Sequence, residues 1–127
     1  MAELKTLQAQ QRVRVDSGRI LDLTQQLGPH GAEEVVCRAM EELAVRLTYL
    51  EDRYRSADSS QLRKTARSLA KIAEQIGMSD VSRVALDVLN CVDAEDEHAL
   101  AAVMTRLLHV GERSLSAIWD LQDMTMG

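Results

Sequence analysis

Aromatic residues are almost missing from this chain. It has no Phe, one Trp and two Tyr, so Trp119, Tyr49 and Tyr54 make up its whole aromatic complement. A β-sheet usually draws on aromatic and β-branched residues for its packed face, and their scarcity argues against one. The apolar share of 46% is carried by Leu, Ala, Val, Ile and Met, which suits closely spaced helices. Proline occurs once and glycine six times, too seldom for a low-complexity or loop-dominated chain. The two cysteines, Cys37 and Cys91, show no CxxC spacing and both fall within apolar helical patterns, which predicts reduced thiols packed as small hydrophobes. No segment approaches the roughly 20 consecutive apolar residues of a membrane span, and the first 18 residues contain no signal-peptide centre. A soluble cytoplasmic protein is expected. The net charge is -5, the wrong sign for a protein held to nucleic acid by phosphate contacts.

What is present is helical periodicity. The length of 127 residues fits one domain, and glycine and proline divide it into blocks whose apolar residues recur at mixed steps of three and four. A short block with Ile20, Leu21, Leu23 and Leu27 ends at Gly28-Pro29. A long one follows with Val36, Met40, Leu43, Leu47, Leu50 and Tyr54. Asp58 and Gln61 read as a capping box for the next, which buries Leu62, Ala66, Leu69, Ala73 and Ile76 and closes on Gly77. Ser79 or Asp80 is expected to cap a fourth block, with Val81, Val84, Ala85, Val88, Leu89 and Val92. The acidic run DAEDE then opens the last, which buries Leu100, Val103, Leu107, Val110, Leu115 and Ile118 with Gly111 and Ser114 interrupting its face. The pattern predicts an all-α protein: an antiparallel up-and-down four-helix bundle with a short additional N-terminal helix lying across one end. Residues 1–19 read as an N-terminal segment, a frayed or independent helix, 20–122 as the bundle, and 123–127 as a tail.

Little in the sequence supports catalysis. His30 lies in the turn after Pro29. Glu95 and His98 form a single Glu-x-x-His pair, the element di-iron bundles use twice. His109, in LLHVGERS, reads as a histidine at the bundle edge. No nucleophile–base constellation, phosphate-cradling loop or dinucleotide fingerprint is present. The protein is therefore read as a non-enzyme without cofactor or metal.

The third block carries the most informative polar pattern. Arg63, Arg67 and Lys71 are each four residues apart and stack on one side of their helix. Like charges at this spacing repel by a few tenths of a kcal/mol per pair. Pairing with Glu74, or with Glu41, Glu42 and Glu51 of the preceding helix, would offset that and leave an ordinary solvated face.

From Ile20 to Leu121 the order of blocks resembles the histidine-containing phosphotransfer (HPt) domains of bacterial multistep phosphorelays. The resemblance rests on the helix ending in LG, the turn SADSSQLRKTA, the helix ARSLAKIAEQIGM and the acidic turn before the last helix. On that alignment Arg67 stands where HPt domains carry the phosphorylated histidine, Ala70 where they carry a lysine, and Lys71 where they carry a glycine. A guanidinium stays protonated and is a poor nucleophile. The resemblance thus implies an HPt-like fold that binds a response-regulator receiver domain or a histidine kinase without relaying phosphate, through Arg63, Arg67, Ala70, Lys71 and Glu74. Two other readings stand beside it: phosphotransfer through His109, and a helical scaffold or homodimer unrelated to phosphorelay.

Overall fold

The computed structural model describes residues 16–126, with side chains through residue 120. All four elements are helices, α1 (Ser17–Arg55), α2 (Ser59–Gln75), α3 (Ser79–Asp93) and α4 (Glu97–Met126). Three-residue turns join them, so successive helices run antiparallel. Helix α1 packs on α2, α2 on α3, α3 on α4, and α4 returns to α1, with the α1–α4 seam the least extensive. Among the described residues the backbones of the helices across the diagonals do not approach closely, which is the ring of a four-helix bundle.

The expected short first helix is joined to the second. Gly28 alone leaves helical geometry, at φ 78° and ψ 166°, and Pro29 restarts the helix. A glycine that tolerates positive φ, followed by a proline preset for the first helical turn, makes a kink without a loop. The start of α1 is pinned far along the sequence: the Asp16 N–H donates to the Gly77 carbonyl at 2.6 Å, and Arg19 Nε donates to the Gln75 carbonyl at 2.9 Å. Of the first apolar block, Leu23 is buried while Leu21 and Leu27 are exposed. Residues 1–15 and 127 lie outside the described residues, as do the side chains after 120.

The core follows the periodicity. Leu43, Leu50, Leu69, Ile76, Met78, Leu107 and Ile118 are fully buried, joined by Val36, Val81, Val84 and Val88. Helix α4 differs from expectation. Its buried line is Met104, Leu107, Gly111, Ser114 and Ile118, at alternating steps of three and four, so Gly111 and Ser114 form the seam instead of interrupting it. The reason is size: a Cβ at position 111 would lie 2.7 Å from Leu47 Cδ1, and glycine lets α4 approach α1 there. Leu100, Val103, Val110 and Leu115 flank the seam, partly buried.

Asp58 caps α2, its Oδ1 accepting the Gln61 N–H at 3.2 Å. The expected cap on α3 is not formed by Ser79 or Asp80. Met78 holds the cap position with no side-chain bond, because its own N–H is drawn back to the Ala73 carbonyl and the chain turns directly from one helix into the next. Asp80 instead lies in the first turn, buried, with Arg83 Nη2 2.9 Å from its Oδ1. Asp96 caps α4 by accepting the Ala99 N–H at 3.0 Å. Both cysteines are thiols, each partly buried. Among the described residues no helix is long and apolar enough to cross a membrane.

Candidate functional site

The basic stripe of α2 lies on the shoulder that faces α3. Arg63 is half-buried and reaches across the seam to Asp93, the last residue of α3, with Nε 2.8 Å from Oδ1 and Nη2 3.3 Å from Oδ2. This two-pronged arrangement fixes the guanidinium plane. The partner differs from the carboxylates expected on the preceding helix. Ser68 explains why: it faces α1 and accepts from Arg46 Nε at 2.9 Å, so the α1 side of the helix lies at Ser68 and the 63/67/71 stripe is turned away from Glu41, Glu42 and Glu51.

The pairing shifts both groups. The hydrogen bond from Arg63 holds the Asp93 carboxyl below its ordinary value against partial desolvation, and the charges of Arg63 and Arg67 add to the effect. The same bond and the Asp93 charge raise Arg63. Arg67 is therefore close enough to act on Asp93, yet it is exposed and makes no ion pair within 4 Å among the described residues. Lys71, one turn further, is also exposed. The shoulder presents one tethered cation and two open to solvent.

The remaining site residues fall differently. Ala70 is 4% exposed and belongs to the core, because the Leu62, Ala66, Leu69, Ala73 face is broad enough to take it in. Its methyl group does not reach the surface stripe. Glu74 is exposed at the end of α2, where its carbonyl accepts the Gly77 N–H. His30, His98 and His109 are all exposed, His30 with Glu34 3.4 Å away. No group of three or more metal-binding side chains occurs among the described residues.

Two features escaped the sequence pattern. Asp93 could have been found by geometry: in an antiparallel pair of similar length, the first turns of α2 face the last turn of α3, where DAEDE begins. The second is a groove of about 420 Å³ between α1 and α4, lined by Met40, Ala44, Leu115 and Trp119. Helical spacing marks Met40 and Leu115 as core, but the seam there is too slight to cover them. No protein-family model matches the chain, and no curated protein or solved structure does.

Proposed function

We propose that this is an HPt-like signalling module that binds a receiver domain, or a histidine kinase, through the basic shoulder of α2 and does not relay phosphate. The observation that carries the reading is the exposure of Arg67 and Lys71 beside an Arg63 held by Asp93. A receiver's phosphorylation pocket is acidic, and a forked guanidinium suits carboxylates or a phosphoryl group. Arg63, fixed by its pair, sets the shape of the shoulder, and Arg67 and Lys71 supply the charge. Charge complementarity of this kind orients and speeds encounter more than it deepens affinity. The helix order and the LG, SADSSQLRKTA and ARSLAKIAEQIGM segments support the family; Arg67 in the histidine's place removes the nucleophile.

The test is a titration of the purified protein against receiver domains of its source organism, with and without a phosphate mimic, at low and moderate salt. Binding that weakens with salt and is lost in Arg67→Glu, with the melting temperature unchanged, is the expected result. Binding indifferent to Arg67→Glu would overturn the role of the shoulder. Acid-labile phosphate on the protein that disappears in His109→Ala would replace the non-catalytic reading with phosphotransfer through His109.

A further inference from the structure

The α1–α4 groove lies on the side of the bundle opposite the α2–α3 seam. Its apolar floor holds the chain's only tryptophan, 62% exposed. A large indole left in water beside other apolar side chains is the usual composition of an interaction anchor. Met40 and Ala44 are one turn apart on α1, and Leu115 and Trp119 one turn apart on α4, so the floor accepts about two turns of a helix laid between them.

The rim defines the occupant's charge. Glu41 borders the floor on α1 and Asp120 on α4, and Glu112, one turn before Ser116 of the same lining, lies just beyond it. All three are exposed, and none makes an ion pair among the described residues. Several other carboxylates of α1 and α3 do find cations, as in Glu42–Arg46, Glu51–Arg55 and Asp93–Arg63. We infer that the groove binds a basic amphipathic helix of a partner protein, whose apolar side chains cover Trp119 and Leu115 while its Lys or Arg residues meet Glu41, Asp120 and Glu112.

Two nearer occupants fit less well. A second copy of the chain would bring one acidic rim against another, and like charges in contact cost several kcal/mol. The chain's own residues 1–15 join the bundle at Asp16, which is tied to Gly77 in the α2–α3 turn, away from the α1–α4 side.

Trp119 is also the reporter. The full-length protein is titrated with a synthetic Trp-free amphipathic peptide of about 14 residues, with Leu at helical spacing and Lys elsewhere, and tryptophan emission is followed. A saturable blue shift is expected. Its apparent Kd should rise at least about tenfold in Glu41→Lys/Asp120→Lys and on adding moderate salt, and a peptide with Ala replacing Leu should give no shift. Ala44→Arg should abolish binding of labelled peptide measured by anisotropy, while Arg67→Glu should leave it intact, which separates this surface from the α2 shoulder. No shift in the wild type, or one indifferent to charge reversal, overturns the proposal. So does a blue shift without peptide: one that grows with protein concentration assigns the groove to a second copy, and one lost on deleting residues 1–15 assigns it to that segment. The double charge variant changes only exposed residues, so it tests the proposal even if Ala44→Arg fails to fold.

Discussion

Ser114 Oγ is fully buried on the α4 seam with no hydrogen-bond partner among the described residues. A buried hydroxyl left unsatisfied costs about 1–3 kcal/mol, and serine is a poorer helix former than alanine. Ser114→Ala keeps the small volume the seam needs and removes the orphan oxygen. It should raise stability by about 1 kcal/mol in a urea titration, and a loss would refute this reading of the site. The Arg63–Asp93 pair makes a prediction about pH. The folded carboxyl titrates below its unfolded value of about 3.9, so its contribution is complete above that value and is lost as pH falls through the depressed one. With Arg63 39% and Asp93 53% exposed, solvent screening keeps the contribution small. Asp93→Asn should therefore lower the denaturation midpoint slightly at pH 6, with the gap from the wild type narrowing as pH falls below about 3.9. A gap that persists at low pH would show that the variant acts through something other than this charge.

All three turns of the bundle close in the same way. In each, the residue after the helix cap sits at positive φ and its N–H bonds back three residues, while the next N–H bonds back five: Ala57 and Asp58 to Tyr54 and Arg53, Gly77 and Met78 to Glu74 and Ala73, Glu95 and Asp96 to Val92 and Cys91. This Schellman geometry favours glycine at the left-handed position, but only the α2–α3 turn has one. Ala57 at φ 56° and Glu95 at φ 54° carry the strain of a side chain there. Ala57→Gly and Glu95→Gly should each stabilise the protein by about 0.5–1 kcal/mol. Gly77→Ala should do the reverse and cost more, about 2 kcal/mol, because at φ 80° its Cβ would also meet the Asp16 carbonyl at 2.6 Å. Amide exchange at Gly18 and Arg19 should quicken in that variant as the start of α1 detaches. Equal stability in the glycine and alanine forms would exclude the close approach. At this scale the sequence was readable where the cause was local. The three-and-four spacing identifies Leu62, Ala66, Leu69, Ala73 and Ile76 as buried, and Asp58 three residues before Gln61 identifies the α2 cap. It misleads where the cause is a neighbouring helix. Gly111 and Ser114 do not register as apolar, yet Leu47 demands small residues opposite it. The partner of Arg63 depends on which way α2 is turned, which Ser68 and Arg46 fix across 22 positions.

Across the whole molecule the charges are sorted by side. The net charge of -5 conceals a shoulder on α2 where Arg67 and Lys71 are exposed, and a groove between α1 and α4 whose rim holds Glu41 and Asp120. Helices α2 and α3 form one side of the ring and α1 and α4 the other, so a receiver at the shoulder and a basic helix in the groove would not collide. Exposed charges separated by more than a Debye length of about 8 Å are largely screened at physiological salt. Effects of distant, unconnected sites add within about 0.5 kcal/mol. A module built this way should bind both partners at once, each with the affinity it shows alone. Saturating the groove with the Leu/Lys peptide should leave the receiver's Kd within about twofold, and combining Arg67→Glu with Glu41→Lys/Asp120→Lys should cost each interaction only what its own variant costs. At low salt the screening length grows to about 30 Å, and there the bound peptide's positive charge should speed capture of an acidic receiver pocket. Competition between peptide and receiver at moderate salt would place both on one surface and rule out a bridging role for the bundle.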